Sequence, residues 1–117
     1  MQLALNILKT AEKKKVKVYL PVDVLAADVF DNSSKTQVVD IFNIPKGWQG
    51  LDCGPKSKAI FHDVVLQSKT ILWNGPMGVF EFEKFSSGTV ALGESIIEAT
   101  QNGAYSLIGG GDSVAAV

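Results

Sequence analysis

Three consecutive glycines, then an aspartate and a serine, stand at residues 109–113 (Gly109-Gly110-Gly111-Asp112-Ser113). They follow an apolar run and open a helical pattern. Glycines without β-carbons let backbone N–H groups approach a phosphate closely and adopt conformations other residues avoid. The following helix aims its unpaired N–H groups and positive dipole end at the same point. A tight turn with an aspartate cap and no ligand would need one glycine, and three in a row exceed that need. The loop lacks the G-x-G-x-x-G spacing of a dinucleotide fingerprint and the Gly-Lys-Ser/Thr of a Walker loop. Two jobs are open to Asp112: helix cap, or carboxylate for a nucleotide-bound Mg²⁺, which takes only one or two protein carboxylates beside phosphate oxygens. Ser113 adds a hydroxyl donor.

A second glycine-rich loop spans residues 74–81 (Asn74-Gly75-Pro76-Met77-Gly78-Val79-Phe80-Glu81). Gly75, Pro76 and Gly78 allow a flat ligand to lie against backbone, with Met77, Val79 and Phe80 as apolar walls. Glu81 has two acceptor oxygens for a pair of ribose hydroxyls, or is a solvated acid before a helix. Asn74, at a strand end, donates to phosphate or fixes the turn. A third glycine-rich loop, residues 47–55, contains Gly50 and Leu51 and precedes a helix, offering another wall of a base pocket. Trp48 and Trp73 read as packing residues, Cys53 as a small buried hydrophobe, and His62 as a surface residue with no acidic partner. No Ser/His/Asp or Cys/His nucleophile is suggested.

The elements that must position these loops follow from hydrophobic spacing. A helical stripe covers residues 1–15 and ends in Lys13-Lys14-Lys15, which complement a helix C-terminus. Residues 16–20 alternate and are β-branched, predicting a strand closed by Pro21, and 22–30 predicts a second. Residues 31–34 form a turn, 38–42 a short strand and 44–47 another turn. A helix over 55–68 opens on Pro55. Residues 70–73 and 105–108 predict buried strands, and 89–101 is a helix capped by Thr89 and ended by Gly103. Strand–loop–helix repetition of this kind argues for right-handed crossovers and a parallel sheet, with ligands outside the carboxyl ends of its strands.

The 117 residues are 46% hydrophobic and 20% charged with net charge −1, the make-up of an ordinary folded domain. That balance gives no reason to expect a nucleic-acid or membrane partner. One cysteine and one histidine build no disulfide or Cys/His metal cluster within one chain. Both ends interrupt helical patterns, so a partial record of a longer protein is expected.

Trp73 through Glu81, followed by Gly109 through Ser113, closely resembles phosphoglycerate kinase. The resemblance includes Leu20-Pro21-Val22-Asp23, Ala27-Asp28 and residues 47–55, and it runs through essentially the whole chain in order. Residues 112–117 resemble the plant and bacterial style of the motif. The resemblance implies a three-layer α/β/α fold with a mainly parallel, Rossmann-like sheet, residues 1–117 being a partial nucleotide-binding domain from the C-terminal half of a two-domain, hinge-bending kinase. It implies reversible phosphoryl transfer between 1,3-bisphosphoglycerate and ADP, giving 3-phosphoglycerate and ATP in glycolysis or carbon fixation, with Mg²⁺. Gly50, Leu51, Gly75, Pro76, Met77 and Val79 would line the adenine pocket. Phe80 would lie near the nucleoside, Glu81 would take the ribose hydroxyls and Asn74 would approach the phosphates. Gly110 and Gly111, the implied catalytic pair, would hold the terminal phosphates with Ser113, and Asp112 would bind the metal. A monomer in the cytoplasm, or in a plastid, is the family expectation.

The chain departs from the family by omission. It lacks the phosphoglycerate-binding half with its basic patch and arginine, and the lysine-bearing start of the nucleotide half. A single arginine is worth ~10³–10⁵ in phosphoryl-transfer rate, so the chain alone is expected to be inactive. The alternative is a non-catalytic nucleotide-binding or structural remnant. An unrelated flavodoxin-like or Rossmann protein would leave the 74–81 loop unexplained.

Overall fold

The computed structural model describes residues 2–111, so Asp112 and Ser113 lie outside the described residues. Helix α1, Gln2–Lys13, comes first. Strands β1 (Asp23–Ala27), β2 (Thr36–Asp40) and β3 (Gln49–Cys53) follow, then helix α2 (Pro55–Gln67) and strand β4 (Thr70–Trp73). A short 3-10 helix, Glu83–Phe85, leads into α3 (Ser87–Gln101), and β5 (Tyr105–Ile108) completes the order.

The α/β class holds, and the sheet is only partly parallel. Strands β4 and β5 pair in parallel, Thr70 opposite Tyr105 through Trp73 opposite Ile108, with α3 as the crossover. Strands β2, β1 and β3 form a separate antiparallel sheet in that order. Short connections explain the antiparallel part, because a parallel pair needs a crossover of a dozen residues or more. Only eight residues, 28–35, separate β1 from β2.

Three expectations from sequence need correction. Residues 16–20 form no strand: they are exposed and pair with no other segment among the described residues, and alternation without a partner ladder does not make a strand. The 47–55 segment is not all loop, since Gln49–Cys53 is β3, paired to β1 across a register shift at Leu25/Ala26. Strands β4 and β5 are covered on one face only, leaving Leu72 66%, Tyr105 65% and Leu107 54% exposed. Helix α1 likewise keeps its predicted stripe but buries none of its residues. It ends with Lys15 at φ +58°, while the Val16 amide reaches back to Ala11 O at 2.9 Å, the closure usually made by glycine. Gly103 (φ +105°) closes α3 as expected, with Ala104 N–H on Ala99 O at 3.0 Å.

The core that matters for the site is small. Ala27, Leu51 and Phe85 are buried together, with Leu25, Val79 and Phe82 packed around them. Phe82 extends the cluster through tilted ring contacts to Phe30 and Phe85, with centroids 5.2 and 6.3 Å away. Helices α2 and α3 pack side by side. His62 faces that seam and has partners after all: its Nδ1 lies 2.8 Å from Ser95 Oγ, and its Nε2 3.8 Å from Glu98. Chain folding, not sequence proximity, supplied the acid.

Candidate functional site

Parallel pairing of β4 and β5 sends both of their loops out of the same sheet edge. The Gly109 amide donates to Trp73 O at 2.8 Å, which extends the ladder one step into the loops. A β-carbon added at Gly109 would stand 3.4 Å from Asn74 Oδ1, so the two glycine-rich loops meet at their roots. Beyond that point Gly110 takes φ +80°, a conformation that favours glycine. Gly110 and Gly111 are exposed.

The loop over residues 74–81 is tied down at alternate residues. Trp73 Nε1 donates to Gly75 O at 2.6 Å, the Met77 amide to Thr89 Oγ1 at 3.1 Å, and the Val79 amide to Leu51 O at 3.0 Å. Gly78, between the last two anchors, has no room for a side chain. A β-carbon there would lie 2.6 Å from Asp52 Oδ1, 2.7 Å from Leu51 O and 2.8 Å from Phe85 O. Glycine is therefore required by close packing at this position.

Between this loop and β3 lies an open cavity of about 360 Å³. Its wall includes Gly50 and Leu51 from β3 and Pro76, Met77, Gly78 and Val79 from the loop. The size falls within the ~300–1,000 Å³ of small-molecule sites, and its apolar side chains beside bare glycine backbone suit a flat ring. Gly75 lies in the loop outside this wall, Phe80 is partly buried, and Glu81 is exposed with no side-chain hydrogen bond among the described residues. The path from Asn74, beside Gly109, to Met77, on the cavity, is three residues. It cannot exceed roughly 11 Å.

One residue lining the cavity was missed by sequence reasoning. Asp52, 4% exposed, accepts from the Gly88 amide at 2.9 Å through Oδ2 and from its own neighbour, the Cys53 amide, at 2.8 Å through Oδ1. It thereby caps α3 from a different strand. Thr89 is not that cap: α3 starts two residues earlier, at Ser87, and the Thr89 hydroxyl instead receives the Met77 amide. A buried acid inside a strand just before Gly54-Pro55 was the available signal, hidden because the glycines around it read as loop.

Asp23 repeats the device at α2. Its carboxylate accepts from the Lys56 amide at 3.0 Å, the Ser57 amide at 2.9 Å and the Ser57 hydroxyl at 2.6 Å. Burial alone would raise the Asp23 carboxyl, but the Ser57 and Lys56 donors outweigh it and hold it below the usual value of 3.8. Cys53 behaves as expected for a buried thiol. Burial first, then the Asp52 charge, pushes it up to about 11, so it is protonated at neutral pH.

The phosphoglycerate kinase family model matches residues 1–117. A phosphoglycerate kinase from Porphyromonas gingivalis is 56% identical over 117 residues, all of this chain and 28% of the relative. A chloroplastic phosphoglycerate kinase from Volvox carteri is 52% identical over the same span, 25% of its length. The solved phosphoglycerate kinase of Coxiella burnetii superposes with a TM-score of 0.92 at 40% identity, covering 98% of this chain and 29% of that one. The chain thus spans little more than a quarter of the curated relatives it matches. A match over every residue, with the fold superposing as well, leaves one family: this chain belongs to the phosphoglycerate kinases.

Proposed function

We propose that this chain forms part of the Mg·ATP/ADP site of a phosphoglycerate kinase, in which ADP accepts a phosphoryl group from 1,3-bisphosphoglycerate and the reverse reaction consumes ATP. The supporting observation is convergence: Gly50 and Leu51 on β3 and Pro76, Met77 and Val79 on the loop share one cavity. In this reading the cavity holds adenine, with Gly75 and Phe80 beside it. Glu81 takes the ribose hydroxyls. Asn74 and the Gly110–Gly111 turn face the phosphates, and Asp112 and Ser113 complete the phosphate and Mg²⁺ contacts. The parallel strand ends supply the edge where such ligands bind in α/β sheets. Phosphoryl transfer depends on positioning and charge neutralisation, and bound Mg²⁺ supplies the neutralisation. The protein acts on small molecules as a monomer in the cytoplasm, a plastid being the alternative compartment.

The 117 residues alone are proposed to bind nucleotide weakly and to turn over nothing, because the acceptor site belongs to the remaining three quarters of the family's length. A coupled assay of the full-length gene product with ATP and 3-phosphoglycerate tests the reading. Steady turnover is expected, and a folded full-length protein without activity would defeat it. Titration of Mg·ADP into the 117-residue chain tests the second clause. Affinity equal to that of the full-length protein would show that contacts outside the chain hardly matter.

A further inference from the structure

We infer that Thr89 is a positioning residue for the nucleotide, acting through the loop and not by touching the ligand; this rests on the function just proposed. Thr89 is 4% exposed, and its Oγ1 accepts the Met77 amide at 3.1 Å. Met77 lines the cavity, whereas Thr89 does not. The hydroxyl therefore stands behind the wall and fixes where that wall lies. Its own position is set in turn by Asp52, which binds the Gly88 amide one residue earlier in the same helical turn.

Two of the loop's three anchors, those at Met77 and Val79, differ in kind. Val79 is held by a backbone carbonyl, Leu51 O, which no substitution removes. Met77 is held by a side chain, so this contact, like the Trp73 bond to Gly75 O, is set by residue type. A hydroxyl at position 89 satisfies a partly buried backbone donor that would otherwise be left unpaired, and an aliphatic residue of the same shape cannot. Met77 and Thr89 are twelve residues apart in sequence, and this bond joins loop and helix directly. Serine preserves the acceptor and valine preserves the volume, so the two variants separate hydrogen bonding from packing.

The experiment uses the full-length gene product with Thr89→Val and Thr89→Ser. Thr89→Val is expected to raise the KM for ATP about five- to tenfold, the equivalent of one lost hydrogen bond, while the KM for 3-phosphoglycerate stays within twofold. Thr89→Ser is expected to restore the ATP value. Amide hydrogen exchange gives a readout apart from activity: Met77 is expected to be protected in the wild type and in Thr89→Ser, and to exchange faster in Thr89→Val while Val79 keeps its protection. An unchanged KM for ATP in a folded Thr89→Val protein would overturn the inference. So would equal rises for both substrates, which mark general destabilisation. If Thr89→Val does not fold, the wild type still decides, because an unprotected Met77 amide overturns the inference. A wild type lacking kinase activity would instead overturn the function on which it rests.

Discussion

Two helix N-termini in this molecule are capped in the same way and serve different neighbourhoods. Asp23 on β1 binds the first turn of α2, and Asp52 on β3 binds the first turn of α3. Each acid is almost wholly buried, and each crowds a glycine: a β-carbon at Gly54 would collide with the Asp23 carboxylate, and one at Gly88 with that of Asp52. Beside Asp23 the remaining partner is Ser57, whose hydroxyl also receives the Val22 and Asp23 amides at 2.9 and 3.1 Å. Beside Asp52 are Gly78 and the cavity. The same capping chemistry fastens secondary structure in one place and underlies a cavity wall in the other. What distinguishes the two capping acids is what rests on each.

The largest expected effect is on stability at the Asp23 end. Asp23→Ala leaves the buried donors of Ser57 and the partly buried amide of Lys56 unpaired, and about 2–4 kcal/mol should be lost in denaturant unfolding. Nucleotide affinity, measured where the variant is folded, should be unchanged. A fall in affinity there would break the comparison. Asp52→Ala should cost slightly less stability, about 1–3 kcal/mol, but should also weaken Mg·ADP binding, as calorimetry would show. Gly78→Ala should weaken binding with it, since the added methyl meets Asp52 and two carbonyls, and overpacking of this kind costs about 1–3 kcal/mol.

Acid titration sharpens the contrast further. The folded Asp23 carboxyl titrates below its ordinary 3.8, so its contribution is complete above that pH and is lost as pH falls through the lower folded value. The stability gap between wild type and Asp23→Ala should therefore be flat above about pH 5 and shrink in stronger acid. At the other end, Cys53 reports on the Asp52 corner. With its thiol pushed up to about 11, only about one molecule in a thousand is thiolate at pH 8, and alkylation should be slow. Asp52→Ala should speed it more than Asp23→Ala does at matched stability. The smallest effect belongs to neither end: Lys15→Gly relieves the left-handed backbone after α1 and should stabilise by up to about 1 kcal/mol.

How much was legible in the residues follows the same division. Segments whose own composition decides their state were readable: Thr70–Trp73 and Tyr105–Ile108 as strands, Pro55–Gln67 as a helix behind its proline, Gly103 as a helix stop. Gly50, Leu51, Pro76, Met77 and Val79 stood out by type and resemblance, and folding brings them to one wall. What depended on distant partners was not readable. Strand β3 was hidden by the glycines that let Val24 and Asp23 approach it. The opposite error at residues 16–20 came from a strand-like pattern with no ladder to join. Asp52, Thr89 and the acid beside His62 act across gaps of 12 to 36 residues, which local periodicity does not register.

In the proposed function, β3 and the 74–81 loop together form the base wall of a nucleotide site. The direct measurement is a titration of the ¹⁵N-labelled full-length protein with Mg·ADP, followed by amide chemical shifts. The expected result is saturable movement of the Gly50, Leu51, Met77, Gly78 and Val79 resonances, with Asp23 and Ser57 nearly still. Saturation with those five unmoved, and shifts clustered elsewhere, would contradict the account.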